Sequence, residues 1–267
     1  MSCLHYSPTI LQGTTKVGKI RCGADGYYDM LAGGFDAYNS TGAFYTWDSA
    51  KSHFDKSSHF RRRVSSGALF GEDGHPIRVP GMTDEEWIVR ILTVHPDRKS
   101  HHIKEIEIDP EGFKNKDGNP IQAVWIRVKP IGPRAQVLAD SLENENINTA
   151  FSIRCLTKDF VHPFSGVKIK TMQQISTFDF VDEPGIAIAT KYHNPSLEMR
   201  TLGQEDVFTR PNIEAAMAYV RKNHSGMESD SLMGSLESMM EATESGLLIP
   251  KQGIQRPATR PITSNWR

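Results

Sequence analysis

Three short segments of the 267-residue chain carry a base, a nucleophile and an acid. His75 lies in Gly-Glu-Asp-Gly-His-Pro, Ser152 in Ala-Phe-Ser-Ile-Arg and Asp179 in Thr-Phe-Asp-Phe-Val. A serine hydroxyl becomes a nucleophile when a nearby imidazole takes its proton, and a carboxylate can orient that imidazole. Since such triads are defined by geometry and not by chain order, the order His, Ser, Asp is compatible with a serine hydrolase.

The pattern around Ser152 indicates how the nucleophile is presented. Polar and apolar residues alternate there, so Ser152 and Arg154 should share one face of a strand, with Phe151 and Ile153 on the other. Ser152 as an ordinary polar strand residue stays an open alternative.

The surroundings of the base and the acid are also informative. His75 lies on a turn between glycine and proline, where the backbone can hold an imidazole towards a strand. Asp179 is a lone acid among apolar residues, so its carboxylate needs a partner, for which an imidazole N–H is suitable. The residues alone leave open that His75 is a surface residue and that Asp179 caps a loop.

Composition excludes several classes of function. The formal net charge is −1, so we expect no nucleic-acid partner. Cys3, Cys22 and Cys155 have no metal-binding or disulfide spacing, which suits a reducing compartment. No apolar run approaches the roughly 18–20 residues needed to span a bilayer. We therefore expect a cytosolic protein that uses no membrane, metal or cofactor.

Periodicity predicts an α+β protein with a mostly antiparallel β-sheet or barrel core and flanking helices. Two alternating runs around Asp117-Gly118 predict a hairpin. The predicted strands are Lys16–Cys22, Glu86–Val94, His102–Ile108, Ile121–Ile131, Ala150–Leu156 and Val167–Val181, and the predicted helices are Trp47–Arg63 on the surface and Pro133–Glu145.

Beyond Pro184 the composition changes. Pro211–Asn223 has the pattern of a good helix and Ser231–Glu244 that of a weaker one. We therefore divide the chain into a domain at 1–195, a helical C-terminal region at 196–246 and a flexible basic tail at 247–267.

Several segments together resemble the prohead (procapsid) maturation proteases of large tailed bacteriophages, which are related in fold to herpesvirus assembly proteases. The resemblance covers roughly residues 17 to 190. Its segments are Asn39-Ser40-Thr41-Gly42-Ala43-Phe44-Tyr45 with the helical stretch after it, Gly71-Glu72-Asp73-Gly74-His75-Pro76, the hairpin, the helix from Pro133, Phe-Ser-x-Arg at Ser152 and Asp-x-Val-x-x-Pro from Asp179 to Pro184. Ala43, where the family often has arginine, and Asp73-Gly74 depart from its pattern.

The resemblance implies a serine endopeptidase in which His75 is the general base, Ser152 the nucleophile and Asp179 the third member. It implies cleavage of scaffold or core and major capsid proteins after glutamate, inside the assembling prohead in the host cytoplasm. It also implies self-cleavage, for which Glu237 and Glu244 are candidates because each ends a Small-x-Glu triplet in the C-terminal region. The basic tail beyond Glu244 would then be removed, or it would serve to hold the protease in the prohead.

The sequence leaves several alternatives open. The chain could be a catalytically inactive capsid-core or scaffold protein of the same fold, and whether it forms a homo-oligomer is open. Arg154 is a candidate oxyanion donor or, with Arg61 to Arg63, a candidate ligand for the substrate glutamate. Further candidates are the loop His162–Gly166 for the oxyanion hole, His162 and His193 as third triad members, Cys155 as a nucleophile and His95, His101 and His102 as metal ligands.

Overall fold

A computed structural model describes residues 3–6, 12–13, 22–39, 42–114, 118–144, 146–147, 149–181 and 206–244. The predicted strand Lys16–Cys22 lies almost wholly outside these residues, and so do the predicted tail 247–267, Pro184 and His193.

The strands of the described residues form two sheets. In chain order they are β1 (Leu4–Tyr6), β2 (Gln12–Gly13), β3 (Tyr28–Phe35), β4 (Ala37–Tyr38), β5 (Phe44–Tyr45), β6 (Phe70–Glu72), β7 (Lys99–Lys114), β8 (Pro120–Pro130), β9 (Ala150–Val161), β10 (Lys168–Val181) and β11 (Asp206–Phe208). The first sheet has the order β11-β1-β9-β10-β5-β4, with β2 also paired to β9, and the second has the order β3-β8-β7-β6. Among the paired strands only β5 and β10 run parallel.

Helices complete the α+β fold that periodicity predicted. They are α1 (Trp47–Ala50), α2 (His59–Ser65), α3 (Asp84–Leu92), α4 (Ala135–Glu143), α5 (Arg210–Asn223) and α6 (Gly226–Glu244), with 3₁₀ turns at Lys51–Phe54 and Pro96–Arg98. The sheet form of the predicted core is confirmed. Over the described residues the strands do not close into a barrel, and the kinship with herpesvirus assembly proteases stays a prediction.

The hairpin β7–β8 was predicted and β9–β10 forms a second one; β7 and β9 extend well beyond the predicted strands His102–Ile108 and Ala150–Leu156. The side chains of Phe151, Ile153 and Phe178 are buried in a core that also contains residues of β7 and β8. The opposite face of β9 meets a second core, in which Leu156 packs with Trp87 of α3 and Leu236 of α6. The hairpin β9–β10 therefore lies between two apolar clusters.

The prediction of a strand at Glu86–Val94 is wrong, because the chain forms helix α3 there. Thr83 accepts a hydrogen bond from the backbone N–H of Glu86 at 3.3 Å, and the Glu86 carboxylate accepts one from the Thr83 N–H at 3.0 Å. This reciprocal capping box satisfies two N–H groups that a helix start leaves unpaired. The signal Thr83-Asp84-Glu85-Glu86 was present in the sequence and was missed.

The predicted surface helix Trp47–Arg63 is also incorrect, since the segment is broken into α1, a 3₁₀ turn and α2. Ser58 makes the break: its hydroxyl donates to the His53 carbonyl at 2.6 Å and accepts from the Arg61 N–H at 3.1 Å, which caps α2. Phe60, with 2% exposure, belongs to the core and not to the surface.

The two C-terminal helices were predicted correctly, although α6 begins earlier than expected, at Gly226. Leu232, Leu236 and Met239 of α6 pack in the same cluster as α3 and β9. The division of the chain at residue 195 stays a prediction. No helix within the described ranges is long and apolar enough to cross a membrane.

The packing of α6 predicts unequal effects of two neighbouring substitutions. Leu236 has 0% exposure, so Leu236→Ala should lower the free energy of unfolding by about 2–5 kcal/mol through lost apolar contacts and a cavity. Glu237 is exposed, so Glu237→Ala should change it by no more than ~0.5 kcal/mol. Urea denaturation of both variants measures the difference. Equal effects would mean that α6 is not packed on the core.

Candidate active site

Strand pairing places the nucleophile and acid candidates side by side. Ser152 of β9 lies directly opposite Asp179 of β10 in the antiparallel register. Directly opposed residues of a strand pair project from the same face of the sheet, with their Cβ atoms about 4.5–5.5 Å apart. Their neighbours Phe151 and Phe178 are buried in the first core, so Ser152 and Asp179 lie on the face turned towards α3.

The base candidate reaches this pair because the chain after β6 crosses to β10. Asp73 forms an isolated parallel bridge with Phe180, and the Gly74 N–H donates to the Phe180 carbonyl at 2.8 Å. Gly74 has φ +76°, a conformation that other L-residues rarely adopt, and it turns His75 towards the hairpin.

His75 lies within hydrogen-bond distance of both other predicted residues. The His75 Nε2 atom is 2.9 Å from the Ser152 Oγ atom, and His75 Nδ1 is 2.8 Å from Asp179 Oδ2. The side chains of Asp179 and His75 have 0% and 11% exposure, and Ser152 is fully buried. With the proton on Nδ1, the imidazole donates to Asp179 and can accept the Ser152 proton at Nε2.

Asp179 accepts hydrogen bonds at both oxygens. Besides His75, the donors are the Glu72 N–H at 3.1 Å and two guanidinium nitrogens of Arg154, Nε at 2.8 Å and Nη2 at 2.6 Å. Burial alone would raise the pKa of Asp179, but the Arg154 charge and the hydrogen bonds from His75 and Arg154 outweigh it and hold that pKa well below its usual range. The carboxylate is therefore ionised at neutral pH.

Arg154 is enclosed by partners within the protein, and its contact with substrate stays a prediction. As predicted, Arg154 shares the face of Ser152, but its side chain has 0% exposure. In addition to Asp179, it donates to the Thr93 carbonyl at 2.6 Å and lies 3.3 Å from a carboxylate oxygen of Glu72. In this arrangement the guanidinium is engaged with Asp179, Glu72 and Thr93, and its contacts give no support for binding an oxyanion or a substrate glutamate.

Glu72 is a site residue that sequence reasoning missed. Its carboxylate is fully buried and accepts two hydrogen bonds from Arg90, at 2.7 and 2.5 Å, and one from the His95 N–H at 2.6 Å. The sequence shows Glu72 in the same Gly-Glu-Asp-Gly-His segment as His75. Its partner Arg90 could not be foreseen, because Arg90 lies on α3, in a segment whose pattern predicts a strand.

Two of the other predicted substrate arginines are also engaged elsewhere. Arg61 donates to the Ile106 carbonyl at 2.6 Å and Arg63 to the Ser176 carbonyl at 2.7 Å. Burial, with a smaller contribution from the Arg154 charge, lowers the pKa of Arg63 to about 10. These contacts attach α2 to the strands and give no support for binding a substrate carboxylate.

The loop His162–Gly166 is not an oxyanion hole for Ser152. It joins β9 to β10 at the end of the hairpin where Val161 pairs with Lys168, whereas Ser152 pairs with Asp179 nearer the other end. At about 3.3 Å per residue the separation is roughly 30 Å. His162 therefore cannot be the third triad member, and His193 lies outside the described residues.

The remaining sequence candidates have structural roles. Cys155 is buried in the first core, and burial raises the pKa of its thiol to about 12, so it is a poor rival nucleophile. The His101 ring is hydrogen-bonded to the Ser100 hydroxyl and to the Phe178 carbonyl, and burial lowers the pKa of His101 to about 4. His102 contacts the Tyr27 hydroxyl. Among the described residues, no three His, Cys, Asp or Glu side chains are grouped to hold a metal ion.

The two self-cleavage candidates lie in an ordered helix and not in a weakly structured segment. Glu237 is within α6, next to the buried Leu236. Glu244 is the last residue of α6 and forms an ion pair with Arg210 at 2.5 Å. Cleavage at either residue stays a prediction.

The crossing of β6 and β10 predicts that Gly71 tolerates no side chain. A Cβ atom there would lie 2.1 Å from the Phe178 carbonyl oxygen and 2.4 Å from the His101 ring. Gly71→Ala should therefore separate the strands, displace His75 and reduce the hydrolytic activity expected of the three residues by about 10²-fold, the scale expected for a misplacement of 1 Å.

The matched control is Gly234→Ala on α6, where a Cβ atom would meet nothing within 4 Å. Activity should stay unchanged and the free energy of unfolding should rise by up to ~1 kcal/mol, because alanine favours the helix. Activity assays and thermal melts of both variants test this. Wild-type activity in Gly71→Ala would contradict the account of the crossing.

Comparisons with known proteins show what the chain is similar to and identify its family. The chain is 39% identical over 194 residues to the capsid maturation protease of Pseudomonas phage phiKZ, a match that covers 71% of this chain and 69% of that protein. The solved structure of the bacteriophage T4 capsid assembly protease aligns with 67% of this chain and 96% of its own, at 13% identity and a TM-score of 0.44. The family model described as the Peptidase S80 family matches residues 6–239, so the chain belongs to the Peptidase S80 family.

Proposed function

We propose that this protein is a serine endopeptidase that matures a bacteriophage capsid, with His75, Ser152 and Asp179 as its catalytic triad. The observation that carries the proposal is the imidazole of His75, which lies 2.9 Å from the Ser152 hydroxyl and 2.8 Å from the Asp179 carboxylate. Membership of a peptidase family and the name of the phiKZ relative support the reaction class and the setting.

The proposed reaction is acyl transfer. His75 Nε2 takes the proton of Ser152 as Oγ attacks the carbonyl carbon of the scissile bond, and the same proton then goes to the leaving amine. Asp179 holds the imidazole in the tautomer with its proton on Nδ1 and stabilises the imidazolium that forms. Water attacks the acyl-enzyme with His75 again as base, which releases the acid and restores Ser152.

The proposed substrates are scaffold or core proteins and major capsid proteins, cut after glutamate inside the prohead in the host cytoplasm. The capsid setting is supported by the phiKZ relative, and the preference for glutamate rests on the family resemblance. Ser152 is fully buried, so the nucleophile must become accessible before a peptide can reach it. Labelling of Ser152 by a fluorophosphonate is therefore best measured on protein within assembled capsids.

The competing function is an inactive assembly protein of the same fold. The alignment of three triad side chains at hydrogen-bond distances favours the enzyme, because an inactive protein has no need to keep them. Absence of labelling at Ser152 within proheads that mature normally would favour the inactive protein.

The proposed role of Asp179 predicts a large kinetic effect. Asp179→Asn should lower kcat by about 10⁴-fold, the scale seen when an amide replaces this carboxylate in other serine proteases, because the wrong imidazole tautomer is favoured. The matched control is Asp159→Asn. Asp159 is a nearly buried acid of the same hairpin, and it forms an ion pair with Lys170 at 2.6 Å.

Asp159→Asn should lower the melting temperature and leave kcat within a few fold at a temperature where both variants are folded. Peptide-cleavage kinetics and thermal melts measure the two effects. Equal kcat in the two variants would remove Asp179 from the proposed triad.

Self-cleavage should favour Glu244 over Glu237. A protease binds its substrate in an extended form, and Glu244 ends α6 whereas Glu237 lies inside the helix beside a buried leucine. We expect intact mass spectrometry under activating conditions to show loss of residues 245–267 in the wild type and in Glu237→Gln. Ser152→Ala and Glu244→Gln should keep that segment. The same full-length mass for wild type and Ser152→Ala would exclude self-cleavage in the tail.

A further inference from the structure

A row of four alternating charges runs from the proposed triad towards the surface. It consists of Asp179, Arg154, Glu72 and Arg90, whose side chains have 0%, 0%, 0% and 14% exposure. Burying ion pairs costs desolvation energy that their attraction does not always offset, so such a row is weak evidence for stability alone. Its position behind His75 suggests a role in the reaction.

The first pair of the row creates an electrostatic problem. Arg154 fixes both oxygens of Asp179, with Nε at 2.8 Å from the same Oδ2 atom that accepts from His75. The guanidinium and the imidazole are therefore held within a few ångströms of each other. A fixed positive charge at that range disfavours a protonated imidazole, the species that must form when Ser152 attacks.

Glu72 supplies the opposing charge. Its carboxylate lies 3.3 Å from Nη2 of Arg154, and its own backbone N–H donates to Asp179 Oδ1 at 3.1 Å. The same residue thus contacts both the cation and the acid that the cation holds.

Arg90 then completes the row on the outer side. It donates twice to Glu72, and both it and Arg154 donate to the Thr93 carbonyl, at 3.2 and 2.6 Å. These contacts fix the carboxylate between the two guanidinium groups, and the four charges sum to zero.

We propose that Glu72 is a positioning residue of the active site: it balances the charge of Arg154, so that Arg154 can fix the Asp179 carboxylate without opposing protonation of His75. The inference rests on the proposed serine-protease mechanism and adds a residue to it. Glu72 acts through Arg154 and does not touch substrate.

Other charged and titratable groups near His75 must be considered. Asp73 lies on the same segment, and Arg134 is 3.9 Å from it. Arg98 of the 3₁₀ turn donates to the Asp73 carbonyl and lies 3.8 Å from Glu72. The other two are His101 of β7 and Arg63 of α2, whose charge acts on Arg154. None of them contacts Arg154 and Asp179 together as Glu72 does.

The test compares charge removal at successive positions of the row. In Ser152→Ala protein, where no self-cleavage can occur, NMR follows the titration of the His75 ring. Glu72→Gln leaves Arg154 unbalanced, so the His75 titration should move to lower pH by about one unit. Arg154→Gln should move it to higher pH, and the double variant should return it close to the starting position.

Enzymes that retain Ser152 give the kinetic readout. The acid limb of the pH profile of kcat/KM should move in the same directions, with kcat lower in Glu72→Gln. The control is Glu214→Gln, which removes one surface acid paired with Arg210 on α5 and should shift nothing.

A structural role alone would lower stability or activity without moving the His75 titration, so an unmoved titration in folded Glu72→Gln overturns the proposal. If that variant does not fold, Arg90→Gln decides, because Arg90 is partly exposed. Removing its charge takes one positive charge from the row, although Arg98 still lies 3.8 Å from Glu72. The titration should therefore move to higher pH, and no movement would likewise overturn the proposal. The titration needs no enzymatic activity, so failure of the proposed function would appear separately, as an unchanged kcat in Asp179→Asn.

Discussion

A fully buried carboxylate at Asp179 is the constraint on which the site depends. An ionised carboxylate without partners is too costly to bury, so the surrounding chain must supply donors and positive charge. Four hydrogen bonds do this, from His75, from two nitrogens of Arg154 and from the Glu72 N–H. The donors lie in β6, in the segment that follows it and in β9, whereas Asp179 lies in β10. The hydrogen bonds to this one carboxylate therefore bring β6, β9 and β10 together.

The Gly-Glu-Asp-Gly-His segment can be understood from that requirement. Gly71 lets β6 approach β10 to a distance that no side chain permits. Glu72 turns its N–H to Asp179 and its carboxylate to Arg154 and Arg90. Gly74 adopts the positive φ that directs His75 to the hairpin. The segment therefore supplies, within five residues, the proposed base, a hydrogen-bond donor to Asp179 and a carboxylate that faces Arg154.

Alternation in a strand predicts the face of the sheet on which a side chain lies but not how deeply that side chain is buried. This difference explains which site features could be predicted from the sequence and which could not. The sequence pattern placed Ser152 and Arg154 on one face, and it gave Asp179 a need for a partner that His75 meets. The alternation does not reveal that α3 covers this face. The pattern of Glu86–Val94 predicts a strand unless the capping box at Thr83 is recognised. Without that helix Arg154 looked exposed and available to substrate, whereas it is enclosed.

Long-range pairing was likewise beyond reach of local patterns. The hairpins β7–β8 and β9–β10 were predictable because each joins neighbouring segments with matching alternation. The crossing from Gly71 to Phe180 joins segments more than a hundred residues apart, and only the family resemblance suggested that they meet. The need of the buried Asp179 carboxylate for a partner predicts the chemical type of that partner but not its position in the sequence.

The ends of the C-terminal helices add a last contrast. Glu237 is held in place by the packing of its neighbour Leu236, so exposing the chain there requires the loss of buried apolar contacts. Glu244 is held by an ion pair with Arg210 in which both side chains are about half exposed, and such pairs contribute little because water and salt screen them. The last turn of a helix also lacks partners for its carbonyl groups. Local opening at Glu244 therefore costs much less than opening at Glu237, which makes the end of α6 the more accessible of the two proposed cleavage sites for binding in an extended form.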